Sequence, residues 1–336
     1  MKKLSLISSF VILSFMFLAV PSSVFALKLT YSNFFPPTHV QSKLAEAWSK
    51  EVKSATNGEV TVEYYPGGTL SKAPQTYDGV VQGISDIGFS VLAYSRGRFP
   101  VLGTVDLPLG YSSGVVATQV ANKVYKKFMP KEFNDVQVMF FHAHGPGLFF
   151  TAKKPVRKLS DLRGLKLRAT GNAAKIVKAA GGTPVAMSMS DSYQSIQKGV
   201  VDGGVYPFET NKGWRMAEVV DYGTAAYSIA YSTTFFVVMN KSKWKKISKK
   251  SQRAIMALNE KYMQKHGEAW DSSDVVGIKY FLNQGNEIIG LDKKEAAKWE
   301  VAVKPIISDY VKVLNKKRLD GDAIVAFTQK TLKSLQ

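Results

Sequence analysis

No cysteine occurs anywhere in the 336 residues of this chain. That absence removes disulfides, thiol nucleophiles, sulfur redox chemistry and cysteine-based metal sites together. A chain without disulfide staples must be held by its packed core, and a hydrophobic content of 45% over this length supplies one. Histidine is almost as scarce, with His39, His142, His144 and His266 making up the full set of 4. There is no Gly-x-Ser-x-Gly elbow, no phosphate-cradling glycine loop and no His-Glu-x-x-His pair, so nothing nominates a catalytic residue. Internal repeats and low-complexity segments are absent as well.

Acidic residues are outnumbered, 26 against 45 basic ones, which leaves a formal charge of +19. An excess of this sign attracts anions and acidic surfaces. The lysines are spread along the chain, however, and the densest group, Lys241 to Lys250, reads as a loop and helix start with a solvated face. Nucleic acid is therefore not the expected partner.

Long apolar runs are confined to the amino terminus. Lys2 and Lys3 precede a run from Leu4 to Val20, and small residues lead to Val24-Phe25-Ala26. This is the pattern of a secretory signal peptide, here residues 1–26 with cleavage after Ala26, and it predicts a periplasmic mature chain starting at Leu27. A run of about 17 residues is near the lower limit for a membrane span, so an uncleaved amino-terminal anchor is the alternative.

What is present is an alternation of strand and helix patterns. Leu27 to Ser32 reads as a strand, Val40 to Thr56 as an amphipathic helix stopped at Asn57-Gly58, Glu59 to Tyr64 as a second strand and Ile84 to Ser90 as another. Val136 to His142 and Gly147 to Thr151 follow, and the pattern restarts at Gly164 with strands near Ala169 and Val185 and helices after Asn172 and Asp191. Such alternation predicts an α/β fold of two lobes, with mostly parallel pairing and helices on the sheets. Crossovers between lobes are expected at Lys153-Lys154-Pro155 and at Phe235 to Asn240, giving a hinge. The division reads as residues 27–149 with about 238–278 in one lobe, and 150–237 with about 279–336 in the other. A helix from Ser251 to about Asn283 is long enough to brace both, and Asp292 to Leu335 reads as helical with an apolar face through Trp299, Val303, Ile306, Tyr310 and Leu314.

The most informative single residue is Arg168. In the segment ending Leu165-Lys166-Leu167-Arg168-Ala169-Thr170, the apolar residues fall on one face and Lys166, Arg168 and Thr170 on the other. Ligands of open α/β sheets bind beyond the carboxyl ends of strands, where a planar, permanently charged donor suits a carboxylate or phosphate. Phe34 and Phe35, directly after the first strand, and Tyr206, after Val201-Asp-Gly-Gly-Val, hold similar strand-end positions. His142 and His144 lie at strand spacing without a telling acidic partner, so a strand-face pair is favoured over a metal site. Asp86, Asp106 and Asp202 sit beside turn residues and read as caps.

Several segments carry a resemblance: Asn57-Gly-Glu-Val-Thr-Val-Glu-Tyr-Tyr-Pro-Gly-Gly-Thr-Leu, Gly97-Arg-Phe-Pro with Asp106-Leu-Pro, Leu162-Arg-Gly-Leu-Lys-Leu-Arg168, and Gly199-Val-Val-Asp-Gly. In this order they resemble the extracytoplasmic solute-binding subunits of tripartite ATP-independent periplasmic (TRAP) transporters, from about Leu27 to the carboxyl terminus. The resemblance implies a monomeric two-lobed receptor, without cofactor or metal, that closes over an organic acid and delivers it to a membrane permease. It assigns the carboxylate clamp to Arg168, and pairs Asn33, Phe34, Ser90, Val91, Met189 and Thr233 with loops and walls of the cleft. Two departures stand out: Leu148 where relatives that select acidic sugars carry a second arginine, and Tyr206 where they carry an asparagine. These imply a monocarboxylate with an apolar or aromatic body. A ligand-sensing module on the same fold, and an enzyme in which His142, Asp86 and Asp202 converge, remain as alternatives.

Overall fold

A computed structural model describes residues 26–336; the run read as a signal peptide otherwise lies outside the described residues. Eleven strands among these residues form two mixed sheets. The first has the order β2-β1-β3-β10-β4, built from β1 (Leu27–Asn33), β2 (Val60–Tyr65), β3 (Ile87–Val91), β4 (Val136–Ala143) and β10 (Thr234–Asn240). The second has the order β11-β9-β5-β8-β6-β7, from β5 (Leu148–Thr151), β6 (Lys166–Arg168), β7 (Thr183–Val185), β8 (Gly203–Tyr206), β9 (Tyr222–Ala225) and β11 (Glu287–Gly290). Pairing is parallel at β1 with β2 and β3, and at β6 with β7 and β8. The strands next to the crossings, β10 and β5, are antiparallel to their neighbours.

The chain passes between the sheets three times, once through the helical stretch between β10 and β11 and twice by short crossings that do not fall where the sequence suggested. It crosses between Ala143 and Leu148 rather than at Lys153 to Pro155, and returns between Ala225 and Thr234. Thr234 to Val237, expected in the second lobe, pair within the first sheet because β10 is hydrogen-bonded along its length to β3 and β4. The two crossings run side by side, joined by a bridge in which Gly147 N donates to Tyr231 O at 2.8 Å. Short paired connections of this kind let lobes rotate about a common axis.

Helices cover the sheets: α1 (Val40–Ala55), α2 (Thr76–Gln82) and α3 (Gly114–Phe128) on the first, and α4 (Gly171–Ala179), α5 (Met189–Gln197) and the short α6 (Thr210–Gly213) on the second. A small helix α7 (Lys241–Lys245) leads into α8 (Lys249–Asn283), whose 35 residues span roughly 50 Å. This helix packs against α1, α3 and β4 and, further along, against α6 and β11. One turn of it ties both lobes down. Asp271 accepts hydrogen bonds from Gly114 N and Val115 N at the start of α3, while Asp274 accepts from Glu209 N at 2.8 Å. At Gly277 a Cβ would collide with the Phe208 carbonyl, so glycine is what allows the helix to lie directly on the second lobe.

The carboxyl-terminal stretch is two helices, α9 (Lys293–Lys316) and α10 (Gly321–Leu335). Asp320 caps the second by accepting from Ala323 N at 3.0 Å. The apolar face through Trp299, Val303, Ile306, Tyr310 and Leu314 is buried. While α9 packs on α4, α10 turns back onto α3 of the first lobe, so the segment placed with one lobe from sequence reaches both. No helix among the described residues is long and apolar enough to cross a membrane.

Asp106 marks the place where the chain re-enters the first sheet. Its Oδ1 accepts from Thr234 N at 2.9 Å and from Thr234 Oγ1 at 2.8 Å, and burial pushes its carboxyl up to about 7. A carboxyl raised in the folded state binds its proton more tightly there than when unfolded. Stability is therefore greatest at low pH and declines as pH rises from the usual aspartate range toward 7. Asp106→Asn keeps the acceptor and removes the titration. Urea unfolding between pH 4.5 and 7 should show a shallower decline in stability for the variant than for the parent; parallel profiles would contradict this account.

Candidate ligand-binding site

The carboxyl ends of strands from both sheets meet at one small cavity. Phe34 and Phe35 follow β1, Val91 ends β3, Arg168 ends β6 and Tyr206 ends β8, and all of them line it. This is the position at which open α/β sheets bind ligands.

Arg168 is buried, with 6% exposure, although it is permanently charged. The alternation of its strand explains the placement: Leu165, Leu167 and Ala169 go into the core, while Arg168 and Thr170 turn to the cavity. Lys166, on the same face but at the other end of β6, is exposed. Gly204 beside it on β8 leaves the room it needs, since a Cβ there would press on the Tyr206 ring at 3.2 Å and on Arg168 Cβ at 3.4 Å. The Arg168 Nε donates to Met187 O at 3.2 Å, Nη1 to Val205 O at 3.5 Å and Nη2 to Tyr94 Oη at 3.4 Å. No carboxylate lies within ion-pair distance among the described residues; Glu209, the acid lining the same cavity, pairs with His39. A guanidinium carries five N–H groups. One N–H on each terminal nitrogen is thus left over, the arrangement that meets a carboxylate in bidentate fashion.

Hydroxyls and aromatic rings supply the rest of the lining. Tyr206 is stacked on Phe150 at 4.4 Å, and its buried hydroxyl has no hydrogen-bond partner. Burial keeps that phenol protonated by raising its pKa well above the ordinary value, so it can only act as a neutral donor or acceptor. Tyr94 Oη accepts from Met189 N at 2.9 Å as well as from Arg168, which leaves its own hydrogen to donate. Phe34 stacks on Trp214 with centroids 6.0 Å apart, and Phe235 on Trp270 at 5.1 Å. The result is an apolar chamber with a charged end.

Of the residues nominated from sequence, Arg168, Tyr206, Phe34, Val91, Met189 and Thr233 line the cavity. Asn33, Ser90 and Leu148 do not. Asn33 is turned to the strand end, where it donates to Tyr64 Oη at 3.0 Å and accepts from Phe35 N at 3.0 Å. Ser90 alternates with Val91 and points to the opposite face, donating to Ala73 O at 2.7 Å. Leu148 is buried in the core beside its strand partner Tyr206. Tyr94, His144, Glu209, Trp214, Tyr231 and Trp270 also line the cavity. Sequence reasoning misses most of these because a 3₁₀ turn and loops deliver them without a periodic trace, and the helical spacing that includes Trp270 does not say which chamber its face meets.

The lobes are closed on one another around this chamber. His39 Nδ1 accepts from Gln41 N at the start of α1, so its Nε2 carries the hydrogen and donates to Glu209 Oε2 at 3.0 Å across the cleft. Tyr94 joins Met189, and Asn172 on α4 donates to Gly103 O at 2.8 Å. The three aspartates read as local turn caps instead hold backbone far away in sequence: Asp86 accepts from Thr30 N, Asp106 from Thr234 N and Asp202 from Lys166 N, each at a strand. They do not converge with His142, whose Nδ1 accepts from Trp270 Nε1 at 2.9 Å. No group of three or more metal-ligating side chains occurs among the described residues.

Two hinged lobes closing on a buried, unpaired cation define a solute-binding protein. Residues 31–313 match the family described as bacterial extracellular solute-binding protein, family 7, and the chain belongs to it as an extracytoplasmic solute-binding subunit of the TRAP type. Among solved structures it is similar to a TRAP periplasmic solute-binding protein from Desulfovibrio salexigens, with 32% identity and a TM-score of 0.80 over 91% of this chain and 95% of that one. A marine metagenome TRAP protein specific for aromatic acids, bound to 3-hydroxybenzoate, is 28% identical with a TM-score of 0.88 over 93% of this chain and 99% of its own. One from Bordetella bronchiseptica with bound mandelate is 28% identical, with a TM-score of 0.86 over 92% of this chain and 100% of its own. Family and fold are those of substrate-binding proteins, and proteins of this family bind organic acids.

A buried cation without a counter-ion burdens the empty protein. Arg168→Met fills similar volume without the charge. Thermal unfolding of the ligand-free variant should show a Tm equal to or above the parent's; a loss of stability of about 3 kcal/mol or more, the cost of breaking a buried pair, would mean that Arg168 serves the fold instead.

Proposed function

We propose that this protein captures an organic monocarboxylate with an aromatic or apolar body in the periplasm and hands it to a TRAP-type membrane permease for import. The observation that carries this reading is Arg168, buried between the lobes with a free N–H on each terminal nitrogen and no carboxylate partner of its own. A ligand carboxylate docked there gains a charge-assisted, bidentate pair in a site already stripped of water. The ligand body then lies among Phe34, Phe35, Trp214, Phe235 and Trp270, which favours a flat or apolar group.

A second carboxylate would fare badly. Arg168 is the only permanent cation among the described lining residues, and the remaining charge in the lining is the acid Glu209. The opposite end of a dicarboxylate would meet rings or a like charge, and the hydroxyls of a sugar acid would be left short of partners at about 1–3 kcal/mol each. The relatives bound to 3-hydroxybenzoate and mandelate carry ligands of the proposed kind. Delivery to a permease follows from the family, and the periplasmic location is the one in which such subunits work.

Calorimetry with benzoate, phenylacetate and mandelate, set against succinate and glucuronate, tests the reading. The monocarboxylates should bind and the others should not, and Arg168→Ala should weaken binding at least tenfold, in line with about 2–5 kcal/mol for truncating one partner of a buried charge pair. Binding confined to dicarboxylates or sugar acids, or an affinity indifferent to Arg168→Ala, would remove the proposal.

A further inference from the structure

Arg168 accounts for one end of the cavity, and His144 gives another part of its lining the opposite character. His144 lies just past β4, where its backbone N donates to Thr233 O at 3.4 Å, and its ring is buried to 5% exposure. The ring lines the cavity, edge-on to Tyr231 at 5.6 Å and to Trp270 at 6.2 Å. Its Nδ1 sits 2.6 Å from Gly145 O. A carbonyl oxygen can only accept, so Nδ1 carries the hydrogen. Burial is the largest influence on this imidazole; the Gly145 carbonyl and Glu209 oppose it, Arg168 adds a smaller push in its favour, and its pKa comes down to about 4. The ring is thus neutral in the physiological range, and Nε2 presents a lone pair.

That lone pair has no hydrogen-bond partner among the described residues. The Glu209 carboxylate in the same lining is already engaged by His39 Nε2 and by Thr210 Oγ1. The remaining histidines cannot substitute. His39 Nε2 donates to Glu209, and His142 and His266 keep their Nε2 atoms sealed in the core. The hydroxyls of Tyr206, Tyr231 and Thr233 in the same lining can donate as well as accept, whereas Nε2 of this tautomer can only accept, which makes it a reader of hydrogen-bond donors.

We propose that His144 Nε2 accepts a hydrogen bond from a hydroxyl or amino group on the body of the ligand, so that the site selects hydroxylated or aminated monocarboxylates over their unsubstituted and O-methylated counterparts. This rests on the monocarboxylate reading and narrows it. A ligand without the donor strips water from Nε2 and returns nothing, and an O-methylated one sets two acceptors against each other. Sites built to hydrogen-bond a substrate group discriminate strongly against analogues lacking it. Arg168 selects the acid; His144 selects what else the molecule carries.

The test is a set of matched probes on the parent and on His144→Phe, which keeps an aromatic ring against Tyr231 and Trp270 but removes the acceptor. Titration calorimetry would compare benzoate with its 3-hydroxy, 3-amino and 3-methoxy derivatives, and phenylacetate with mandelate and O-methylmandelate. In the parent at least one donor-bearing probe should bind ten times more tightly than both its unsubstituted and its methylated partner, and in His144→Phe that ratio should drop below three. No donor preference in the parent, or an unchanged ratio in the variant, overturns the inference. Should the variant misfold, nitrogen-15 spectra of the parent decide the same question: the His144 Nε2 resonance should move on adding the preferred donor probe and hold still with the unsubstituted one, and the reverse pattern overturns the assignment. Failure of every monocarboxylate to bind would instead bring down the underlying reading and this one with it; normal benzoate binding without donor preference would bring down this one alone.

Discussion

A guanidinium held out of water without a carboxylate partner is the constraint around which the rest of this molecule is arranged. Isolated buried charge is among the most unfavourable features a fold can carry, tolerable only when hydrogen bonds satisfy it. Here two carbonyls of the second lobe and one hydroxyl of the first take three of its N–H groups. What remains is directed donor capacity for an anion. Alternation along β6 aims the side chain, and Gly204 on β8 gives it space, so a short stretch of sequence determines both direction and depth.

The lobes have to come together for that arrangement to exist. Tyr94 belongs to the first lobe and completes the Arg168 environment in the second, while His39 and Glu209 join across the same gap. Because the partners of Arg168 are split between lobes, opening removes one of them and readmits water, and closure over an acid restores a dry site in which the pair is strongest. The paired crossings at Gly147 and Tyr231 permit that motion. The long helix α8 limits it: Asp271 and Asp274, one turn apart, hold different lobes, and Gly277 keeps the helix seated on the second. Rotation is thereby guided about the hinge rather than left free.

Much of this is legible in the chain itself. Apolar alternation at Leu165, Leu167 and Ala169 sets the face of Arg168, and the mixed three and four spacing from Ile255 to Trp270 announces a bracing helix close to its observed bounds. Strand-end positions likewise point to Phe34 and Tyr206. The misreadings have physical causes. Sequence divides β10 between lobes because a uniformly buried strand gives no sign of where the neighbouring sheet begins, and the same apolar periodicity on α9 and α10 conceals the turn between them. Ser90 is one residue out of phase, which on a strand means the opposite face. Tyr94, Glu209 and His144 come from turns and loops, where position in sequence says little about position in space; only the fold brings them to one chamber.

The central claim is that Arg168 waits for an acid. A crystal structure of the protein with benzoate or mandelate at a resolution that separates the carboxylate oxygens tests it most directly. The account predicts both oxygens within hydrogen-bonding distance of the two terminal nitrogens of Arg168, with the lobes closed and the ligand body among Phe34, Trp214 and Phe235. A carboxylate seated elsewhere in the cleft, with Arg168 turned to bulk water or paired with a protein acid, would contradict it.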